Sequence, residues 1–134
     1  MAATGSGGDL GIVTKLSPRS VLDTTTLLAD LVLSRGLKLF AVIQQDAEAR
    51  SVGLLLPETV LVIFGDPIKE TPLIADSRFT ALDVPLRVMI WARGGQTRIS
   101  YYAPTAIARR HRLSTDLARR LTSIDTLTDA VITP

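Results

Sequence analysis

The chain has no cysteine and a single histidine, His111. The first absence excludes disulfide staples, thiol nucleophiles and thiolate metal sites together. The second leaves a zinc or iron site to be assembled from one imidazole and carboxylates, a poor donor set, so no metal and no cofactor is expected. Aromatic residues are scarce at 4%, so Leu, Val, Ile and Ala must fill most of the core. No apolar run approaches the roughly 18 residues that span a bilayer. The opening MAATGSGGD carries neither the basic start nor the apolar stretch of a signal peptide. These absences predict a soluble cytoplasmic protein with no membrane contact.

What is present fits one domain. With 134 residues, 46% hydrophobic and 21% charged, the chain is long enough to bury a real core once but not twice. Residues 1–9 are small, polar and Gly-rich and read as a flexible terminus, leaving 10–134 as the single domain. The formal charge of +2 conceals an asymmetry. Through Pro85 seven basic residues face ten acidic ones, whereas from Leu86 onward eight face three. Twelve of the fifteen basic residues are Arg, and one basic patch gathers Arg109, Arg110, His111, Arg112, Arg119 and Arg120. Such a patch suits phosphate or an acidic partner, although a solvated helix face is the more frequent meaning of such a run.

Hydrophobic periodicity orders the elements. GIVTKL (Gly11–Leu16) leans towards strand. SPRS then reads as a helix start, with Ser17 as N-cap and Pro18 in the first helical position. Val21, Leu28 and Val32 fall on one helix face with Leu27 and Leu31 beside it, and Gly36 supplies the stop. Lys38–Gln44 is apolar on both alternating faces and reads as a strand covered on both sides. Asp46 is placed to cap a short helix ending at Gly53, and Val60–Phe64 is a second central-looking strand. Thr71-Pro72 marks a short helix to about Ser77. Leu86, Val88, Ile90 and Ala92 alternate with Arg87, Met89, Trp91 and Arg93, and Gly94-Gly95 turns the chain into a return strand over Thr97–Ala103. Pro104 and Ser114 open two terminal helices. The order β-α-β-(α)-β-(α)-β-β-α-α predicts an α+β fold, a mixed sheet packed against helices, rather than a doubly wound one.

Little in this inventory carries chemistry. The glycines of GSGGDLG precede the first strand instead of following one, and no G-x-G-x-x-G or Walker sequence is present, so nucleotide binding of those kinds is not expected. His111 sits among three arginines, whose charge weakens it as a base. Asp66, in the Gly65-Asp66-Pro67 turn after a buried strand, lies where functional side chains project into crevices. An Asp before Pro in a tight turn more often caps its own backbone. Trp91 and Tyr102 on the hairpin suit an interface or a ligand pocket. Phe64, Gly65, Asp66, Pro67, Thr71, Trp91 and Tyr102 are therefore the candidate ligand-binding residues, and no residue is assigned a catalytic role. The arginine patch lacks interleaved aromatics, which disfavours nucleic acid.

Several blocks in order then resemble the domain-of-unknown-function family 302. They are FAVI (Phe40–Ile43), LLPETVLVIFGDP (Leu55–Pro67), TPL (Thr71–Leu73), LDVPLRVMIW (Leu82–Trp91), SYYAP (Ser100–Pro104) and ARRHRL (Ala108–Leu113). The resemblance runs from about Gly11 to Leu113 and implies a compact α+β domain that forms homodimers, from a family without an established activity. Where the family pattern has Ile-Asp-His after the second strand, Gln44 and Gln45 follow Ile43 here. Asp66 and Glu70 stand where it has Asn and Gly. The amides at 44 and 45 do not exchange protons near neutral pH.

The leading expectation is thus a non-catalytic homodimer that binds a small molecule or a partner in a crevice beside Phe64–Pro67 and Trp91. Two alternatives stand beside it. One is an enzyme acting on a small polar substrate through Asp66, Thr71 and His111, and the other is a phosphate or nucleic-acid accessory protein using the arginine patch.

Overall fold

A computed structural model describes residues 10–134; the expected flexible terminus lies outside them. Five strands form one sheet: β1 (Ile12–Ser17), β2 (Lys38–Gln44), β3 (Thr59–Gly65), β4 (Leu86–Arg93) and β5 (Gln96–Tyr102). Their spatial order is β1-β5-β4-β3-β2, and every neighbouring pair is antiparallel. The α+β class is as the sequence implies, but the sheet is not mixed. β1 and β2 run in the same direction yet lie at opposite edges, so the crossover between them creates no parallel pair.

That crossover is α1 (Val21–Ser34). Its N-cap is Ser20, whose hydroxyl accepts from the Asp23 N–H at 3.0 Å. Ser17 instead ends β1, buried against the Thr24 hydroxyl at 2.7 Å, so the helix starts one turn later than SPRS suggests. Val21, Thr24, Leu28 and Val32 face the sheet and are buried, matching the apolar spacing. Each fully buried Leu or Val contributes roughly 1.5–3 kcal/mol.

The connections after β2 and β3 differ from expectation. α2 (Gln45–Ser51) contains Asp46 rather than being capped by it. The Asp46 carboxylate accepts from the Thr59 N–H at 3.3 Å and pairs with Arg50 at 3.2 Å. α3 (Pro67–Asp76) begins one turn earlier than Thr71-Pro72: Asp66 is the N-cap, accepting from the Ile68 N–H at 3.0 Å, with Pro67 in the first turn and Pro72 inside the helix. Pro67 takes the position where a missing N–H costs nothing. β4 and β5 form the expected hairpin through Gly94 and Gly95, whose φ values of 58° and 76° are those of a two-residue turn favouring glycine at both positions.

The C-terminal part is α4 (Pro104–Arg110), α5 (Thr115–Ala118) and α6 (Ser123–Ile132), with a short 3-10 turn over Arg119–Leu121 between the last two. What reads as one second helix is therefore broken in two. Ile124, Leu127, Val131 and Ile132 of α6 join Val60, Val62, Phe64, Leu86, Val88, Ile90 and Ile99 of the sheet and the inner face of α1 in one core.

β2 is the largest departure. It is an edge strand, not a strand covered on both sides: Phe40, Val42 and Ile43 are 43%, 41% and 36% exposed. Its double-sided apolar pattern records an uncovered edge and not a buried centre.

Candidate functional site

Strand alternation divides the sheet into two faces of different character. Val60, Val62 and Phe64 of β3, Leu86, Val88 and Ile90 of β4, and Thr97, Ile99 and Tyr101 of β5 are buried under the helices. The opposite face carries Ile12, Thr14, Leu16, Leu61, Ile63, Met89 and Trp91, all half-buried. A side chain at that level on a sheet leans on its neighbours but is not covered.

Register places these residues in rows. Thr14 lies opposite Ser100, Ser100 opposite Met89, Met89 opposite Leu61, and Leu61 opposite Ile43, so one row crosses all five strands. A second row runs Leu16, Arg98, Trp91, Thr59. Polar links tie them: the indole N–H of Trp91 donates to the Ser100 hydroxyl at 2.9 Å, and Ser100 and Thr14 share a hydrogen bond at 2.9 Å. The Arg98 guanidinium lies 5.6 Å from the Trp91 ring centroid and donates to the Arg93 carbonyl at 3.0 Å. On the side of the first row away from Trp91 is a concavity of about 290 Å³, lined by Ile12, Leu61, Arg87, Met89, Ser100, Tyr101 and Tyr102. Its wall is mainly apolar, with a guanidinium and two hydroxyls at the margins.

The charge of this face is one-sided. Arg87, Arg93 and Arg98 project from it, and no strand position on it among the described residues is acidic. Arg87 has no carboxylate partner among the described residues; its one hydrogen bond is a long 3.5 Å contact to the Leu82 carbonyl.

The other candidates fall elsewhere. Phe64 is fully buried beneath the helices. Thr59, at the start of β3, is the residue opposite Trp91, whereas Phe64 near the other end is opposite Leu86. The expected crevice shared by Phe64–Pro67 and Trp91 is therefore not formed: Phe64 faces the helices, and Trp91 lies on the other face of the sheet near the opposite end of β3. Thr71 and Pro67 are exposed on α3, and the Asp66 carboxylate is spent on the Ile68 N–H.

Gly65 has a distinct role. A Cβ there would lie 2.5 and 2.6 Å from the two carboxylate oxygens of Glu70, so glycine is what lets that side chain fold back. Glu70 is 6% exposed and accepts from the Asp66 N–H at 3.1 Å. Burial pushes its pKa up to about 7; the Asp66 N–H opposes this and the Asp66 charge adds to it. It lines neither the sheet-face concavity nor a second, smaller hollow of about 60 Å³ beside Asp83, bounded also by Leu86, Arg87, Tyr102, Ile107 and Ile124.

The basic patch is split. Arg110 and His111 both turn onto Asp83, at 2.8 and 2.5 Å, and Arg110 also lies 5.2 Å from the Tyr102 ring centroid. Burial alone would raise the Asp83 pKa, but the bonds from His111 and Arg110 outweigh it and hold the carboxyl below its ordinary value. Arg112 follows the end of α4 with φ of 53°, Arg109 is exposed, Arg119 pairs loosely with Asp116 at 3.5 Å, and Arg120 reaches the Lys69 carbonyl. His111 is thus committed to Asp83, and Asp66 to a helix cap, so the proposed enzyme residues do not converge on one contact.

A buried network lies on the helix side. Lys15, 3% exposed, holds Asp129 at 2.8 Å and the Thr128 hydroxyl at 2.7 Å. The Tyr101 hydroxyl donates to Asp125 at 2.6 Å, and burial, with Asp125 adding, raises its pKa well above the ordinary phenol value. Every partner is satisfied within the network, which ties β1 and β5 to α6. Among the described residues no three His, Asp or Glu side chains gather to hold a metal ion.

Leu61, Met89, Ser100, Ile12 and Arg87 are the site residues that sequence reasoning missed. The hairpin alternation marks Met89 and Arg87 as belonging with Trp91, but VLVIF is apolar on both faces, so Leu61 carries no such signal.

Comparison with known proteins adds three findings. The family model described as "Domain of unknown function DUF302" matches residues 13–131. The chain is 38% identical over 113 residues to the "Fluoride-specific ion channel FluC 1" of Brucella suis biovar 1 (strain 1330), a match covering 82% of this chain and 44% of that protein. The same identity and length hold for "Fluoride-specific ion channel FluC 1" of Brucella abortus biovar 1 (strain 9-941), where 42% of the relative is covered. The chain thus spans less than half the length of these curated relatives. Among solved structures, the uncharacterized conserved protein DUF302 from Bacillus stearothermophilus matches with a TM-score of 0.77 at 14% identity, covering 92% of this chain and 96% of that one. At that identity the likeness speaks for the fold.

Proposed function

The chain belongs to the DUF302 family, whose function is unknown, and from that premise we propose that it is a non-catalytic binding domain working through the uncovered face of its sheet. One observation carries the reading: the helices cover one face of the sheet, while the other presents half-buried apolar side chains around a concavity of about 290 Å³. Soluble domains seldom leave such a surface idle. The test is fluorescence with anilinonaphthalenesulfonate, an apolar anion, using Trp91 as the energy donor. The wild type should bind the dye and transfer energy to it. Leu61→Glu and Met89→Glu, each folded by circular dichroism, should not. Equal dye binding in all three proteins would remove the open face from consideration.

A second reading concerns self-association, and the exposed edge of β2 favours it. Two open faces brought together would set six guanidinium groups against one another with no acidic strand residue on either side, an arrangement that costs association free energy. The β2 edge, with Phe40, Val42 and Ile43 exposed, has unpaired backbone and apolar flanks, so an antiparallel β2–β2 pairing would join two sheets and leave both open faces accessible. Native mass spectrometry of wild type and Val42→Pro tests it: a dimer lost in the variant supports the edge, and a dimer unchanged in it places the contact elsewhere.

The relatives suggest a setting. They are named as ion channels, and more than half of each lies outside the matched stretch. Among the described residues of this chain no helix is long and apolar enough to cross a membrane. Ion conduction is accordingly not assigned to this domain; an accessory role beside a channel protein is. Co-purification with a co-expressed channel homologous to the remaining part of the relatives would support that role, and failure to associate would remove it.

A further inference from the structure

The concavity has a chemistry more specific than the face around it, and we infer that it takes a small amphipathic monocarboxylate: an apolar body of six to eight carbons or a single ring, with its carboxylate on Arg87. This rests on the open face being the binding surface.

Size comes first. About 290 Å³ corresponds to on the order of ten non-hydrogen atoms at the roughly 30 Å³ that one water occupies in the liquid. That matches medium-chain or aromatic acids in size.

The lining then sorts the ligand by polarity. Leu61 and Met89 lie opposite one another in the centre of the sheet, with Ile12 on the flanking side, and supply an apolar floor. Ser100 is already engaged by Trp91 and Thr14, so the floor offers little to a sugar or another polyol. An apolar body fits it better than a hydroxylated one.

The head group is set by Arg87 and Tyr102. These two residues line both the concavity and the smaller hollow beside Asp83, so they stand at its end and not at its floor. Arg87 has no carboxylate partner among the described residues, and the Tyr102 hydroxyl makes no hydrogen bond there. A guanidinium presents a planar pair of N–H donors matched to a carboxylate, with the phenol as a further donor. Arg110 cannot take the same part, since Asp83 and the Tyr102 ring hold it. One available guanidinium balances one negative charge, which favours a monocarboxylate over a phosphate dianion.

Trp91 reports occupancy through a neighbour, because it is the sole tryptophan and donates to the hydroxyl of Ser100, which lines the concavity. Its emission should be titrated with octanoate, octanol and octyl phosphate in wild type and in Arg87→Met, a substitution at an exposed position. Wild type should bind octanoate about tenfold more tightly than octanol, the difference expected of a charge-assisted pair. It should also prefer octanoate to octyl phosphate. Arg87→Met should abolish the preference for octanoate over octanol. Equal affinity for octanoate and octanol in wild type would overturn the carboxylate assignment while leaving the open face as a binding surface. So would a preference that survives Arg87→Met. Tighter octyl phosphate would reassign the head group. Failure of all three ligands, with the dye bound normally, would overturn the ligand class alone; failure of the dye as well would overturn the face.

Discussion

Glu70→Gln should stabilise this protein at alkaline pH and leave it nearly unchanged in acid. Glu70 is 6% exposed, and its carboxylate accepts one hydrogen bond, from the Asp66 N–H at 3.1 Å. Burial lifts its pKa from 4.5 to about 7. The folded protein therefore holds the proton more tightly than the unfolded chain. Below about pH 4.5 both states are protonated and the group carries no penalty. Between there and about pH 7 the unfolded chain ionises first, and the native state loses stability as pH rises; above that the loss is constant. From 4.5 to about 7 the full effect is roughly 3 kcal/mol at about 1.4 kcal/mol per pH unit. The Gln carbonyl can still accept from Asp66, so the hydrogen bond survives. What the variant forfeits is a carboxylate in the first turns of α3, about 0.3–1 kcal/mol. The net gain at about pH 8 is then roughly 2 kcal/mol. Urea unfolding followed by Trp91 emission, at about pH 4.5 and about pH 8, measures it as the difference between variant and wild type. A variant less stable than wild type at the higher pH, or a difference independent of pH, would refute the reasoning.

Three further outcomes follow from the same packing. Gly65→Ala should destabilise by about 1–3 kcal/mol, since its Cβ would meet the Glu70 carboxylate at 2.5 Å, and Glu70→Gly in the same chain should recover most of that in urea unfolding. Asp83→Asn should cost about 1–2 kcal/mol at neutral pH by thermal unfolding, because Asn cannot serve both Arg110 and His111 as a charged acceptor. As the folded Asp83 pKa lies below 3.8, that contribution is present above about pH 4, and in wild type it is lost as pH falls through the folded value. Lys15→Met should cost about 1–3 kcal/mol and not the 3–5 of a fully buried pair, because Asp129 is 66% exposed and solvates when its partner leaves.

Much of the scaffold is legible in the sequence wherever a local rule decides. The apolar spacing of Val21, Leu28 and Val32 marks α1, and Gly94-Gly95 between alternating runs marks the β4–β5 hairpin. Misreadings arise where two signals of the same kind compete. Ser17 and Ser20, the two ends of SPRS, both offer a cap, and the later one wins because Ser17 is needed in β1 against Thr24. Asp66-Pro67 and Thr71-Pro72 both announce a helix, and the first wins because Glu70 reaches back to Asp66. Long-range pairing is where legibility ends. Phe40, Val42 and Ile43 read as buried because periodicity reports apolar character and not what covers it. The site needs the register of four strands to unite Leu61, Met89, Ser100 and Ile12, and no local pattern contains it. Conversely, the arginines cluster in sequence yet take different partners, since α4 ends at Arg110, Arg112 adopts a positive φ, and Arg110, Arg119 and Arg120 turn to Asp83, Asp116 and Lys69.

The open sheet face as the binding surface is tested most directly by nuclear magnetic resonance of protein labelled at the methionine methyls. The chain has two methionines, Met1 and Met89, so the signal from the centre of that face is readily assigned with a Met89→Leu control. Titration with anilinonaphthalenesulfonate should move the Met89 signal saturably, in step with the dye's emission. A Met89 signal that stays fixed while the dye binds would place the binding surface elsewhere on the molecule and contradict the account.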